Sequence, residues 1–560
     1  MKQHSGDHRL FMACAAALVI VFHLYSPPSL SAKAADDRYF SAVKGIELLG
    51  DVYREVAENY VDTLSISRLS YSAIDGMLEP LDPYTVFLDE EQSRELGELT
   101  NSQYAGIGIT IASIEGSIFV TSVEKGWPAA KAGMRVGDRI TEINGVQLKK
   151  KSLDRVRELI KGNAGVPLAL AVARRNSGHL TFGLLREEIR LSTVTFSGLV
   201  DGFGYIGLES FGTRSFEDVQ KALAGIREEA AHSGSPPKGI ILDLRENPGG
   251  LLDAAVDVTS LFVPEESPVV SIRGRSAGST KSYTTKRPPE ESDIPLAILI
   301  NARSASAAEI VSGAVQDLDR GILIGERSFG KGLVQSVINL PYDSALKLTT
   351  AKYYTPSGRL IQKEENGALA SARDVLTPRK RDGDGHEVFR TAAKRKVYGG
   401  GGIAPDITVE APGESAYLDQ LRYRGMLFLF SLEQAASGVG ASPDSAALMP
   451  AFNHFLENHD FSYRSADQKR FDLFMESFDG GEGGKKSLQV LEAGRDELER
   501  LRKMEVAGAA EDVAVALREE IVRLCDPKAA RRLELARDPL FRKAAEVLSA
   551  PRQYARLLRP

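Results

Sequence analysis

Residues Asn301–Gln335 have the sequence NARSASAAEIVSGAVQDLDRGILIGERSFGKGLVQ, which combines a serine cluster, a helical pattern and a lysine between glycines. The apolar run before this stretch, PLAILI (Pro295–Ile300), predicts a buried strand. Apolar residues then recur at helical spacing from Ile310 to Leu318. A serine at this strand-to-helix junction lies beside free helix N–H groups, where an oxyanion can be stabilised. The stretch therefore predicts a layered α/β core with a reactive serine.

Serine and lysine can form a nucleophile–base pair without histidine. The lysine must be unprotonated, so its pKa has to fall by roughly 3 units from about 10.4, which corresponds to about 4 kcal/mol. Burial among apolar groups can supply that shift. The 8 histidines include none between residues 233 and 385. Nothing local therefore indicates a Ser-His-Asp triad, although a distant histidine leaves one open.

The motifs SASAAEI and FGKGLVQ, with the lysine 25 positions after the second serine, resemble those of the carboxy-terminal processing proteases. These enzymes are also called tail-specific proteases or peptidase family S41. The resemblance implies that Ser306 is the nucleophile, that Lys331 is the general base and that Gln335 orients the lysine. The family segment is close to N-x-G-S-A-S-A-S-E-I, so Arg303 replaces a common glycine and Ala308 a common serine. Neither departure touches the predicted dyad, and the similarity extends over roughly residues 40–412.

The loop DLRENPGG follows a strand pattern and resembles the family loop that supplies an oxyanion N–H group. The resemblance implies that Gly249 or Gly250, together with the backbone of Ala307, forms the oxyanion hole. Such a donor is typically worth about 2.7–4 kcal/mol, and the alternative for NPGG is an ordinary turn. Ser304 is predicted to cap the helix rather than to act as the nucleophile. For Glu309, ordering the site and complementing the helix N-terminus are equally good interpretations.

Residues 103–187 change to a pattern of strands, with Asn144-Gly145 as a turn signal and SLDRVRELIKG as a short amphipathic helix. The combination WPAAKAGMRVGDRITEINGV resembles a PDZ domain. The resemblance implies a loop that binds a terminal carboxylate and a sheet edge that the bound peptide extends. The residues assigned to this loop are Tyr104, Gly106, Ile107, Gly108 and Ile109. The alternative is that the glycines only make a hairpin bend.

The remaining segments complete the predicted organisation. An export signal is predicted because Lys2 and Arg9 precede an apolar run and an A-x-A site lies at 32–34, although an uncleaved anchor is left open. The predicted divisions are a signal at 1–34, a helical region at 35–102, a PDZ domain at 103–187, a protease core at 188–362, a charged insertion and return segment at 363–412 and a helical domain at 413–560. Residues 363–396 are predicted to form a mobile surface insertion.

The resemblance also implies a fold class. It indicates an α/β catalytic core of ClpP/crotonase-like type, with an inserted α+β PDZ domain and helical N- and C-terminal regions. The net charge of −6 argues against nucleic acid as a partner. Cys14 and Cys525 are the only cysteines and the histidines are scattered, so neither a disulfide framework nor a metal site is expected. No Walker or Rossmann loop is convincing, and we expect no cofactor.

We therefore predict an exported serine endopeptidase, in the bacterial periplasm or on the outer face of the inner membrane. It would cleave proteins near their C-termini after the PDZ domain recognises the tail. An adaptor protein, membrane association through the N-terminal segment and self-association through the C-terminal helices are left open. One alternative is a catalytically silent tail-binding scaffold, against which the intact Ser306, Lys331 and Gln335 argue. The other is an esterase or amidase for small substrates, against which the PDZ segment argues.

Overall fold

The computed structural model describes residues 30–101, 103–275, 277–363, 387–410, 413, 415–436, 445–478 and 484–560. The chain divides into two compact units, Met1–Phe87 and Leu88–Pro560. Most of the predicted export signal lies outside the described residues. No helix in the described ranges combines the length and the apolar character that crossing a bilayer would require.

The first unit is built on two helices. These are α1, Leu30–Asn59, and α2, Ile66–Leu78, followed by the short strand β1, Val86–Leu88. Ser65 caps α2 by accepting a hydrogen bond from the backbone N–H of Arg68. The hydroxyl groups of Tyr53 and Ser70 lie 2.9 Å apart and join the two helices. The predicted helical character of this region is thus present, with β1 added.

The segment that resembles a PDZ domain forms a sheet with the strand order β3-β4-β5-β7-β8, and β6 pairs with β5. Its strands are β3, Ile109–Ile114; β4, Ser117–Val123; β5, Arg139–Ile143; β6, Val146–Gln147; β7, Pro167–Arg174; and β8, Gly178–Leu185. Two helices accompany it, α4, Pro128–Lys131, and α5, Leu153–Ile160. They follow α3, Glu90–Asn101, in the chain. The predicted turn at Asn144-Gly145 has positive φ at both residues, 49° and 80°, as a two-residue hairpin turn requires.

A two-stranded ribbon leads into and out of this segment. It pairs β2, Gln103–Gly106, with β9, Glu187–Arg190, in antiparallel register. Tyr104 lies opposite Ile189, so it belongs to the ribbon and not to the six-stranded PDZ-like sheet.

The central layer of the larger unit is a six-stranded sheet with the order β10-β11-β12-β15-β16-β21. Its strands are β10, Val194–Val200; β11, Phe203–Leu208; β12, Ile240–Asp243; β15, Leu296–Ile300; β16, Ile322–Gly325; and β21, Ile407–Thr408. All neighbouring pairs after the first are parallel, and β12, β15 and β16 are buried throughout. Three helices, α6, Ser215–Ser233, α7, Leu252–Ser260, and α8, Ala307–Asp317, supply the apolar cluster that covers one face. The predicted alternation of strand and helix is therefore observed.

A second sheet carries the lysine segment. It contains β13, Pro268–Gly274; β14, Lys281–Thr284; β17, Leu333–Asn339; and β18, Ala345–Tyr354. A short 3₁₀ turn, Ala277–Ser279, separates the first two. Strand β18 pairs with both β13 and β17 in antiparallel register, and so it runs directly beside the residues that follow the lysine.

The segment after this sheet corrects one prediction. Residues 364–386 lie outside the described part of the chain, but β19, Val388–Arg390, and β20, Lys396–Tyr398, form a hairpin. Buried Arg395 binds Asp319 and Asp406, both at 2.6 Å. The end of the stretch predicted as a mobile insertion is thus fixed to the core by ion pairs.

The C-terminal segment is helical, as predicted. Its helices are α9, Ala416–Tyr423; α10, Met426–Ala436; α11, Ser445–Asn458; α12, Ala466–Ser477; α13, Gly484–Gly508; α14, Ala510–Cys525; α15, Pro527–Arg537; α16, Pro539–Leu548; and α17, Pro551–Leu557. Leu540, Phe541 and Val547 from α16 pack with Tyr205 and Leu299 on the second face of the central sheet. The earlier helices form a separate apolar cluster around Phe430 and Phe452.

The same helical segment also contacts the PDZ-like sheet. The rings of Phe119 and Phe428 meet edge to face with centroids 6.3 Å apart. Arg175 pairs with Glu433 at 3.0 Å. A Cβ atom added to Gly425 would lie 2.8 Å from the side chain of Ile114. The helices therefore hold the tip of the β3–β4 hairpin as well as the central sheet.

Candidate active site

The predicted nucleophile, Ser306, lies at the turn between β15 and α8, where it is the residue immediately before the helix. Its backbone has φ 54° and ψ −113°, a conformation that non-glycine residues seldom adopt. Such strain persists only where the surroundings enforce it, and it is typical of functional turns. Every residue of α8 is buried, so the helix that follows the serine is fixed within the core.

The Glu309 carboxylate lies in the first turn of α8 and is completely buried. Its Oε2 accepts hydrogen bonds from the backbone N–H groups of Ser306, at 2.8 Å, and Lys331, at 2.9 Å. Its Oε1 accepts from the Ser328 hydroxyl, at 2.6 Å, and the Gly330 N–H, at 2.7 Å. Burial raises the pKa of Glu309 to about 7, and these four hydrogen bonds oppose the rise. Of the two interpretations of Glu309, these contacts favour an ordering role that joins both predicted motifs.

Tyr353 on β18 makes a second link between the same two residues. Its hydroxyl donates to the carbonyl oxygen of Lys331 and lies 3.2 Å from that of Ser306. The ring is 1% exposed and packs within the apolar cluster beside α7 and α8. Local sequence patterns assign Tyr353 no role, because only the strand pairing brings it to the serine turn and the lysine turn.

The predicted oxyanion loop lies directly against the serine. A Cβ atom on Gly249 would be 2.8 Å from Ser306 Cβ and 2.9 Å from the Ala307 backbone nitrogen. The Gly249 N–H already donates to Asn247 Oδ1 at 2.8 Å. A Cβ atom on Gly250 would instead be 2.1 Å from the carbonyl oxygen of Phe211. Both positions thus need glycine, and of the two only Gly249 contacts the turn of the predicted nucleophile, Ser306.

Asn247 holds this loop in place, although its sequence context predicts only an oxyanion loop or an ordinary turn. Its backbone carbonyl accepts from Ala305 N–H at 2.9 Å. Its side-chain amide donates to the carbonyl oxygen of Leu208 at 2.8 Å, and the residue is fully buried. An asparagine before Pro-Gly-Gly is a weak signal by itself, because it is also common in simple turns.

The structure corrects the prediction for Ser304, because the residue that precedes α8 is Ser306. The Ser304 hydroxyl instead donates to the carbonyl oxygen of Leu244 at 2.7 Å and accepts from Asn301 N–H at 3.0 Å. Ser304 therefore ties the serine loop to the end of the neighbouring strand, β12.

Gln335 lies on β17 opposite Thr349. Its side-chain amide donates to the Leu333 carbonyl and to the Thr349 hydroxyl, both at 3.3 Å. These contacts fix Gln335 two residues into the strand that follows the lysine turn. Its action on Lys331 remains a prediction.

The residues predicted to bind a terminal carboxylate run from the ribbon strand β2 into the first strand of the PDZ-like sheet. Gly106 packs beneath the Tyr104 ring, and Ile109 begins β3. Gly108 has φ +78°, and a Cβ atom there would be 2.5 Å from Trp127 Cβ. The Ile107 side chain points into the core, with 1% exposure. Only backbone groups of Ile107 are therefore candidates for contact with a peptide.

Comparison with known proteins identifies both parts of the chain. The family described as Peptidase family S41 matches residues 202–368, and the family described as PDZ domain matches residues 119–174. The chain is similar to the carboxy-terminal-processing protease of Bartonella bacilliformis, with 38% identity over 321 residues that cover 57% of this chain and 73% of that protein. It is also similar to the carboxy-terminal processing protease CtpA of Bacillus subtilis, with 31% identity over 317 residues that cover 56% of this chain and 66% of that protein.

A solved structure, the photosystem II D1 C-terminal processing protease, matches with 27% identity and a TM-score of 0.33, over 65% of this chain and 92% of that one. The Bartonella match covers most of that relative's length, and the family predicted from the serine and lysine motifs is confirmed. The chain belongs to the carboxy-terminal processing proteases, serine-type peptidases of family S41, and it carries a PDZ domain.

Proposed function

We propose that the protein is a serine endopeptidase that uses a Ser306–Lys331 dyad to cleave exported proteins near their C-termini. The observation that carries the proposal is the joint anchoring of the two residues, because Glu309 Oε2 accepts a hydrogen bond from the backbone of each. The two motifs are far apart in the chain, yet one buried carboxylate connects them. A peptidase that pairs a serine with a lysine requires such a fixed arrangement.

In the proposed reaction, Ser306 Oγ attacks the carbonyl carbon of the scissile peptide bond while Lys331 Nζ accepts its proton. The tetrahedral intermediate then collapses, the C–N bond breaks, and the lysine returns the proton to the leaving amine. Water that Lys331 deprotonates next attacks the acyl-enzyme, so that a carboxylate product is released and Ser306 regains its proton. Gln335, two residues into the strand after the lysine turn, is proposed to orient Lys331.

The oxyanion of this intermediate requires two hydrogen-bond donors. The N–H group of Ala307 belongs to the first residue of α8, where the helix itself offers no partner. Because the Gly249 N–H already donates to Asn247, we propose Gly250 as the second donor, with Gly249 giving the close approach to Ser306. Each donor is worth about 2.7–4 kcal/mol in related serine enzymes.

We propose that the PDZ domain binds the substrate's C-terminal tail. Strand β3 is at one end of the sheet order, so its outer edge can accept an added peptide strand beside α5. The residues 104–109 precede that edge, where backbone N–H groups can hold a terminal carboxylate. Gly108→Ala should weaken tail binding because of the Trp127 contact, whereas Gly116→Ala, also at positive φ but in open space, should not.

The remaining finer predictions are also proposals. The basic and apolar N-terminal sequence supports export to the periplasm or to the outer face of the inner membrane. The parallel strands with helices on both faces support a ClpP/crotonase-like core.

The test uses the wild-type protein, Ser306→Ala and Ser312→Ala with a substrate protein that ends in an apolar, unstructured tail. Ser312 is a matched control, since its hydroxyl donates to Ala308 O on the same helix, at 2.7 Å. Mass spectrometry should find tail-dependent products with wild type and Ser312→Ala but none with Ser306→Ala. Equal cleavage by Ser306→Ala would refute the assignment of the nucleophile. Tail binding without cleavage by any form would favour the silent scaffold.

A further inference from the structure

The Tyr353 hydroxyl occupies a position between the two halves of the proposed dyad. It contacts the carbonyl oxygens of Lys331 and Ser306, the latter at 3.2 Å. One hydroxyl proton is therefore shared between the two turns. Glu309 binds the N–H groups of the same two residues, so both backbone groups of each residue are held.

The backbone of Tyr353 adds a third contact to the lysine turn. Its N–H donates to the carbonyl oxygen of Gly332 at 3.0 Å. The hydroxyl and the N–H of one residue thus engage Lys331 and Gly332, which are consecutive. The position of the tyrosine is itself fixed, because β18 pairs with β13 on one side and with β17 on the other.

The contact to Ser306 is not needed to satisfy the serine carbonyl. That oxygen already accepts the N–H groups of Glu309, at 2.8 Å, and Ile310, at 3.0 Å. A buried backbone carbonyl needs only one such partner to avoid the cost of burial. At the serine carbonyl, the hydroxyl therefore adds less to the satisfaction of a polar group than to the link between the two turns that carry the proposed dyad.

We infer that Tyr353 is a positioning residue, whose hydroxyl sets the separation of the Ser306 and Lys331 turns for proton transfer. The inference rests on the proposed Ser306–Lys331 dyad. Proton transfer requires the two heavy atoms to lie within about 3 Å. A small shift of one turn would therefore slow acylation while leaving the PDZ domain and its groove unchanged.

The experiment compares Tyr353→Phe with Tyr554→Phe in the full chain. Tyr554 is a matched control because its hydroxyl bonds the backbone of Leu296, at the opposite end of β15 from the serine turn, at 3.0 and 3.2 Å. We expect Tyr353→Phe to lower kcat by about 10- to 100-fold with unchanged KM for a tailed substrate. Tyr554→Phe should leave kcat unchanged. Thermal unfolding of both variants measures how much stability the protein loses when either hydroxyl group is removed.

A second readout does not depend on a protein substrate. A fluorophosphonate probe labels an activated serine directly. The rate at which it labels Tyr353→Phe should fall in parallel with kcat. An unchanged labelling rate and kcat, or equal losses in both variants, would overturn the positioning role. If wild type neither cleaves the tailed protein nor reacts with the probe, the proposed dyad itself fails. If wild type reacts with the probe but cleaves no tailed protein, the substrate proposal fails and the probe still decides the role of Tyr353.

Discussion

Ser306 and Lys331 donate their backbone N–H groups to the same oxygen atom, Oε2 of Glu309, at 2.8 and 2.9 Å. The carboxylate is fully buried, and its second oxygen binds the Ser328 hydroxyl and the Gly330 N–H. Ser328 and Gly330 belong to the turn that contains the lysine. Glu309 therefore organises that turn against the helix N-terminus as well as completing the first turn of α8.

Replacing Glu309 by glutamine should impair the site severely. Every hydrogen bond that the carboxylate receives comes from an N–H or O–H donor, whereas an amide nitrogen cannot accept them. At least one buried donor would lose its partner, at a cost of about 1–3 kcal/mol. We expect a lower melting temperature and a loss of kcat, measured with the tailed substrate. Glu217→Gln, the same change in the first turn of α6, should be neutral, and activity of Glu309→Gln equal to that of wild type would contradict this role.

The raised pKa of Glu309 gives opposite signs for stability and activity. Its carboxyl has an ordinary pKa of 4.5 and a folded-state pKa of about 7. The folded protein therefore binds more protons between these values, and this group's contribution to stability is lost as pH rises through about 7. The ionised form, however, is the one that accepts all four hydrogen bonds. Activity should consequently rise over the same window, in addition to any rise from deprotonation of Lys331.

Ser328→Ala tests which group controls that limb of the pH profile. Its hydroxyl bond lowers the pKa of Glu309, so its loss should raise the pKa further. The acid limb of the pH profile of kcat/KM should move to higher pH in Ser328→Ala. Ser312→Ala, on the same helix as Glu309, should leave that limb in place. An unmoved limb in Ser328→Ala would assign the pH dependence to another group.

The sequence predicted the elements of this site better than their connections. Strand β15, helix α8 and the glycine-framed lysine follow from local patterns, which depend only on residues close in the chain. Tyr353 lies 47 residues from Ser306 and 22 from Lys331, and the pairing of β18 with β17 and β13 is what brings it near. Arg395 was placed on a mobile segment because a charged run is usually solvated, but its acidic partners come from distant turns. Contacts of this kind require the register of the sheets.

Gly249→Ala should disable the active site through its contact with the serine turn. An added Cβ would lie 2.7 Å from the Ala305 carbonyl oxygen and 2.8 Å from Ser306 Cβ, and φ is +98°. The serine turn or the loop of the predicted oxyanion donors would have to move. Because a shift of about 1 Å can cost about 100-fold in rate, we expect kcat to fall by at least that order.

Gly358→Ala separates this clash from backbone strain. Gly358 has φ +87°, but no atom lies within 4 Å of an added Cβ. Both alanine variants therefore carry the strain of a positive φ, and of the two only Gly249→Ala places its Cβ against Ser306. Matching losses of kcat in the two variants would mean that strain alone, and not the contact with Ser306, explains the effect.

Phe428→Ala should loosen the contact between the C-terminal helices and the PDZ domain. The Phe428 ring is nearly buried and meets Phe119 on β4 edge to face. Its loss removes both apolar area and the aromatic pair, which is worth about 0.5–1.5 kcal/mol beyond the area term. Hydrogen exchange should therefore accelerate in the β3–β4 hairpin, whose tip these helices hold.

The effect of Phe428→Ala on activity shows whether the contact between Phe428 and Phe119 is only structural or also affects how the substrate is used. The central sheet is covered by the apolar cluster of α16, to which Phe428 does not belong, so hydrolysis of a small ester at the proposed site should be unchanged. Cleavage of a tailed protein should change, since β3 both belongs to this hairpin and forms the proposed peptide edge. Phe474→Ala on the exposed face of α12 is the matched control. If Phe428→Ala alters hairpin exchange but cleaves the tailed protein as wild type does, the helices support the PDZ domain without influencing how it presents a substrate.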